Sequence, residues 1–266
     1  MWCRCPAQRR ETNDKITNQK SMSRSNPSTN TPHPCTRWHE WNGEHGTIRS
    51  WDKAAKAEVI TSLPFAFMAL DRTATIAGWN DASDLRIFSN EVRDTTREPF
   101  VVKAHKGGVL AQGCYREIKD KVGSLGGHFT ANIYIAFKDD SGALQLGAMQ
   151  LKGAALKAWT DFEQTNRKAV YEKAVVISGF DEGKKGKVVF RTPKFSIKPV
   201  SEEANAAAVE LDKVLQTHLE SYFKRNTTEQ AAPAATTPAN EPQPDAPPAD
   251  WEPEVAPPVN EDDAPF

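Results

Sequence analysis

Lysine and arginine recur beside aromatic residues along this chain: Arg49 near Trp51, Tyr115 with Arg116, Phe190 with Arg191, and Lys194 with Phe195. When such residues share a surface, two kinds of contact become available. Cationic side chains meet phosphates, and aromatic faces stack on bases at about 1–3 kcal/mol per base with little regard to base identity. The pairing therefore suits polyanions, single-stranded nucleic acid among them. The candidate contacts are Trp51, Trp79, Lys103, Lys106, Tyr115, Arg116, Tyr134, Lys184, Lys185, Lys187, Arg191 and Lys194. Trp38 and Trp41 also have polar neighbours that leave them open to a ligand. Phe65, Phe67, Phe137, Phe162 and Trp159 fall on apolar runs and belong to the core. For the lysine-rich turns, the alternative is an ordinary solvated loop.

Other chemistry finds little footing. None of the six histidines forms an HExxH or a similar pair, and neither a GxSxG elbow nor a Walker-type Gly-Lys-Ser/Thr loop occurs. "DEGKKGK" lacks the phosphate-loop spacing and joins two strands. The acidic pairs Asp139-Asp140 and Asp181-Glu182 are expected in hairpin turns. Cys3, Cys5, Cys35 and Cys114 contain no CxxC, which argues against a structural zinc site or a disulfide scaffold. No enzyme, metal or cofactor is expected, and a reducing cytoplasm is the default compartment. The chain has no run of about 18 apolar residues, so no membrane partner is expected.

The elements that must position these residues follow from periodicity. "RWHEWNGEHGTIRSW", "LPFAFMAL", "RTATIAGW", "LRIFSNEV" and "PFVVKAHK" read as strands. "CYREIKDKVGSL" spaces Tyr115, Ile118, Val122 and Leu125 as on one helix face and ends at Gly126-Gly127. "HFTANIYIAF" alternates, with Ile133, Ile135 and Phe137 on one face and Tyr134 on the other, and returns through "KDDSG" into "ALQLGAMQL". "KGAALKAWTDFEQ" is a helix, and "AVYEKAVVISGF" and "KVVFRTPKFSIKPV" are strands. A last helix opens at Ser201 with Glu202 and Glu203 in its first turn and closes near Arg225. The expected class is mainly β with helices (α+β), an OB-fold-like Greek-key barrel with additional strands, a C-terminal helix and disordered termini. The expected domains are a disordered arm over 1–36, with Met22 as an alternative start, an OB-like body over 37–200, a helix over 201–225 and a Pro-rich acidic tail over 226–266.

Charge divides along the same lines. No Lys or Arg follows Arg225, while nine acids do, which leaves residues 1–225 at a net of +8. Residues 101–200 carry 17 Lys plus Arg against nine acids, so the excess lies in the folded body. A basic body with an acidic tail favours polyanion binding.

The tail, residues 226–266, holds ten of the 18 prolines and ends "EDDAPF". This end resembles the acidic tip of bacterial-type single-stranded DNA-binding proteins, in which several Asp precede a final Pro-Phe. Ala264 departs from the branched apolar residue usual there. In the body, "IFSNEVRDT", "GCYREIKDKV" and "LKGAALKAW" are similar to segments of little-characterised phage and prophage proteins, some regarded as single-stranded DNA-binding. The resemblance implies non-catalytic binding of single-stranded DNA in phage replication, recombination or repair, in the cytoplasm of a bacterial host. It also implies a tip of Asp262, Asp263, Pro265 and Phe266 that recruits partner proteins. A homo-oligomer is left open. So are a protein-interaction adaptor that mimics the tip and an RNA-binding or annealing protein.

Overall fold

The computed structural model describes residues 32–52 and 56–231. Eleven strands and four helices occur among them, in the order β1 (Arg37–Asn42), β2 (Thr47–Asp52), β3 (Ala57–Thr61), β4 (Phe65–Asn80), β5 (Leu85–Ser89), β6 (Phe100–Ala104), β7 (Val109–Gly113), α1 (Tyr115–Ser124), β8 (Gly127–Lys138), β9 (Leu144–Lys152), α2 (Gly153–Asn166), α3 (Ala169–Glu172), β10 (Ala174–Lys185), β11 (Val188–Lys198) and α4 (Glu202–Ala231). The fold is mainly β, as expected, with a C-terminal helix. One open mixed sheet runs β3-β2-β1-β9-β8-β4-β5-β6-β7, and β10 joins it beside β4 and carries β11. The β1–β9 pair is parallel and the others are antiparallel.

β4 organises the sheet. "LPFAFMAL" and "RTATIAGW", expected as two strands, form one strand of 16 residues. Charged Asp71 and Arg72 do not interrupt it because both find partners: Arg93 meets Asp71 at 2.6 Å, and Arg72 meets Glu163 at 2.6 Å. One edge of β4 pairs with β8 along nearly its whole length, with a register shift between Ala69 and Asp71. The other edge serves β10 from Phe65 to Met68 and β5 from Ala77 to Asn80. A shift of this kind bends and twists a strand locally.

Side chains alternate between the two faces of a strand, and one face is closed. Its first apolar group joins Ile48, Phe65, Phe67, Ile133, Ile135, Phe137 and Met149 to Trp159 of α2 and Val170 of α3. Its second joins Ala74, Ile76, Ile87, Phe100 and Val102 to Ile118 and Val122 of α1. Phe65, Phe67, Phe137 and Trp159 are core residues as expected, and Phe162 packs against them partly buried. Trp41 belongs here too. It is buried, and its indole N–H donates to the Arg191 carbonyl at 2.9 Å, so it is not available to a ligand.

Three local departures have simple causes. "AVYE" begins a strand in the sequence reading but forms the single turn α3, whose Val170 fills the core under β4. Asp181 and Glu182 lie within β10 rather than in a turn, because Lys194 and Arg191 on β11 neutralise them. α4 continues past Arg225 to Ala231. Where α1 ends, Gly126 has φ +86°, and a Cβ there would stand 2.1 Å from the Trp79 carbonyl, so glycine is required.

The chain divides into two units, Met1–Tyr222 and Phe223–Phe266, with α4 crossing the division. No described helix is long and apolar enough to cross a membrane. Met22, residues 1–31 of the expected arm, residues 232–266 of the expected tail, and with them the tip residues Asp262, Asp263, Pro265 and Phe266, lie outside the described residues.

Candidate functional site

The second face of the sheet is covered only in part. α4, up to Tyr222, lies over one end, where Ala204, Ala208 and Leu211 meet Met68, Leu70, Ala136 and Leu144. Ser201 caps its start, accepting the Ala204 N–H at 3.3 Å. His33 lies over Tyr134 beside α4; the described residues leave the rest of the face open, and the pairing register fixes what stands on it. Ile60 opposes Arg49, which opposes Glu40, which opposes Gln150, which opposes Asn132, which opposes Thr73. Two residues along β2 from Arg49 is Trp51. Further across, Ala77 opposes Phe88, Trp79 opposes Arg86, Phe88 opposes Lys103, and Lys103 opposes Val109. Trp51, Ile60, Trp79, Phe88 and Val109 therefore share one face, and all five are exposed, Trp51 by 59% and Trp79 by 50%.

β2 and β5 are five steps apart in the sheet order, roughly 24 Å if the sheet were flat. Yet Trp51 and Phe88 both line one cleft of about 630 Å³, so the sheet curls around it. Trp38, Arg49, Arg86, Gln150 and Tyr222 also line it, as does Glu58, which stands opposite Trp51 and 3.7 Å from Arg49. Glu40 stands among them without adding a free negative charge. Desolvation opposes its ionisation, but Lys152 at 2.8 Å and Arg49 at 3.1 Å outweigh this and hold its pKa below the usual value. Arg86 and Lys103 have no carboxylate partner among the described residues.

The cleft floor is polar and hydrogen-bonded. After β5 the chain continues beside β4, where Ile76 N–H donates to Ser89 Oγ and Ala74 and Val92 exchange backbone bonds. This brings Glu91 over the sheet. Thr73 Oγ1 donates to its carboxyl at 2.5 Å and Tyr134 OH donates at 2.7 Å, with the Asn132 amide close by. Burial raises the Glu91 pKa, and these donors oppose the rise. Its backbone N–H donates to Tyr222 OH at 2.8 Å, which ties the floor to α4.

The sequence candidates separate on this geometry. Trp51, Trp79 and Lys103 meet on the open face. Tyr134 points to the same face but is 0% exposed and bonded to Glu91, so its ring has no surface to stack on a base. Tyr115 packs against Phe129 and Phe100 at the α1 core, while Arg116 is exposed on α1. Lys106 is exposed in the β6–β7 turn with φ +57°. Lys184, Lys185 and Lys187 are exposed at the β10–β11 tip. Arg191 pairs with Glu182 at 3.0 Å, covers the Phe180 ring and bonds the Glu44 carbonyl, and so holds the β1–β2 turn. Lys194 pairs with Asp181 at 2.6 Å. The sequence reading omitted Ile60, Arg86, Phe88, Val109, Gln150 and Asn132. Alternation in "LRIFS" already put Arg86 and Phe88 on one side, but which strand they adjoin is a tertiary fact.

Among the described residues, no group of His, Cys, Asp and Glu is placed to hold a metal ion. Cys35 is buried, and its thiol is pushed up to about 12 by burial first and by the Glu91 charge second, which suppresses the reactive thiolate. No protein-family model, curated protein or solved structure matches this chain.

Proposed function

We propose that the open face binds single-stranded DNA without catalysing a reaction on it. One observation carries this reading: five exposed apolar or aromatic residues share a single sheet face with Arg49, Arg86, Lys103 and Lys152. A soluble surface gains nothing from two half-exposed tryptophans unless a partner covers them. Bases stack on such rings while cations beside them meet phosphates. A duplex hides its base faces, so the surface favours a single strand. The lysines at the β10–β11 tip, Lys106 and Arg116 extend the basic surface.

An OB-type Greek-key barrel, a five-stranded and partly open architecture, is the finer fold reading attached to this proposal. The curl of the sheet about long β4 supports it. The tip residues Asp262, Asp263, Pro265 and Phe266 are proposed, on their sequence resemblance alone, to recruit replication, recombination or repair proteins. A phage protein acting in a bacterial cytoplasm fits that resemblance. The test is a titration with poly(dT) and with a duplex of equal length, following tryptophan fluorescence at two salt concentrations. Quenching that is stronger with the single strand and weaker at high salt is expected. Equal affinity for both nucleic acids would sink the reading.

A further inference from the structure

Stacking explains a sequence-tolerant surface, but it does not explain why the cleft has an ordered polar floor. A strand held only by stacking and phosphate contacts needs a groove. Here there is a hollow of about 630 Å³, inside the range of roughly 300–1,000 Å³ typical of small-molecule sites. Aromatic residues stand on opposite sides of it, with Trp38 and Trp51 from β1 and β2 on one and Phe88 from β5 on the other. Between them, on the floor, are Asn132 and Gln150.

The floor has a direction. Gln150 Nε2 donates to Asn132 Oδ1 at 3.1 Å, and the Asn132 amide stands close to the Glu91 carboxyl. Asn132 is buried, and its amide oxygen accepts from Gln150. An amide that turns its NH₂ toward a carboxyl offers its oxygen to the next residue, and Gln150 meets that oxygen with N–H. One Gln150 N–H is thereby consumed. Its carbonyl oxygen and second N–H have no other hydrogen bond among the described residues, and the residue is half-buried in the cleft lining. A fixed acceptor beside a fixed donor is the pattern with which glutamine meets a base edge bidentately. Unstacked single strands are recognised in this way, with a base between aromatic rings and its edge hydrogen-bonded.

Building on the single-stranded DNA reading, we infer that the cleft takes one nucleobase of the bound strand edge-first, with Gln150 hydrogen-bonding its Watson–Crick edge. Gln150 is then a specificity-determining residue. Asn132 and Glu91 are positioning residues that hold its amide in one orientation.

The experiment compares an oligo(dT) with the same oligonucleotide built from N3-methylthymine, by fluorescence anisotropy with the full chain. Methylation removes the edge donor but keeps ring, sugar and phosphates. Wild type is expected to bind the methylated strand about tenfold more weakly, the scale of one bidentate contact. Gln150→Leu should bind both strands alike, at the level of wild type on the methylated strand. Gln150→Met should behave the same; both variants leave the buried Asn132 oxygen without its donor, so a somewhat lower urea midpoint is expected and binding is compared where both remain folded. Equal binding of the two strands by wild type overturns the inference and leaves the interface reading standing. Discrimination that persists in Gln150→Leu also overturns it, because the methyl group is then rejected by shape. Binding of neither strand overturns both readings.

Discussion

The two faces of this sheet spend their aromatic residues differently. On the closed face Trp159 is fully buried among Phe67, Phe162 and Phe195, with ring centroids 5.2–6.1 Å apart. On the open face Trp51 and Trp79 stand more than half or half exposed, Trp51 two residues along β2 from Arg49 and Trp79 across the strand pair from Arg86. Burial of an aromatic side chain contributes to folding; the same ring left in water contributes to folding almost nothing and is kept for another contact. The closed face thus specifies the fold, and the open face is free to specify a ligand.

The largest effect that tests this division is on stability. Trp159→Ala removes a buried indole and leaves a cavity, a loss of about 3–5 kcal/mol. Trp51→Ala removes an exposed ring and should change stability by less than about 0.5 kcal/mol. Urea unfolding followed by circular dichroism checks both. Similar losses at the two positions would break the comparison.

The faces should also answer pH with opposite signs. His39 lies on the closed side against Phe65 and Phe137, with neither ring nitrogen hydrogen-bonded. Burial first, and the Arg37 charge second, lower its pKa from 6.5 to about 4. The unfolded chain therefore takes up this proton before the folded one. The stability that His39 contributes is present above 6.5 and lost as pH falls toward about 4, an amount of ~3 kcal/mol at full shift. Glu91, on the open side, has its pKa raised above 4.5 by burial. Its contribution is full below 4.5 and lost as pH rises through the folded value. The two trends oppose each other where the windows overlap. His39→Leu should unmask a decline with rising pH, and Glu91→Gln a steeper fall toward acid, in urea midpoints measured across both windows.

Next in size is binding. Trp51→Ala and Trp79→Ala should each weaken poly(dT) binding by roughly 5- to 150-fold, the equivalent of about 1–3 kcal/mol per stacked base. Trp38→Ala belongs to the same series, though its partly buried ring also packs edge-on to Tyr134 and His33, so its loss will not be confined to binding. Fluorescence anisotropy at constant salt separates these effects from the stability measurements.

What the sequence made legible were local properties. Alternation in "HFTANIYIAF" put Ile133, Ile135 and Phe137 on one face and Tyr134 on the other, and β8 has this arrangement. It did not say that Tyr134 would be covered. That depends on Glu91, 43 residues away, arriving from the segment after β5. Trp51 and Trp79 stood out because their neighbours are polar, whereas Phe88 in "LRIFS" looked like any strand residue until β4 and β6 placed it between Ala77 and Lys103. Basic residues near aromatic ones misled at Arg191 and Lys194. Their acidic partners, Glu182 and Asp181, are set by the β10–β11 register and cannot be seen from adjacency along the chain. Long-range pairing was the missing information in each case.

Charge gives the smallest effect and the finest division between the faces. Lys103 lies on the open face opposite Phe88 and has no acidic partner among the described residues. Lys157 lies on α2, over the closed face, and pairs with Asp161 at 2.6 Å. If phosphates run along the open face, Lys103→Ala should weaken poly(dT) binding a few-fold and reduce the slope of log affinity against log salt by about 1. Lys157→Ala removes the same formal charge from the chain, so it controls for net charge, and it should leave that slope unchanged. Its cost should appear only in stability, at about 0.3–0.5 kcal/mol for an exposed i,i+4 pair. Equal slopes for the two variants would mean that the strand senses overall charge and not the open face, and the division between the faces would then fail for phosphate contacts even if it held for the tryptophans.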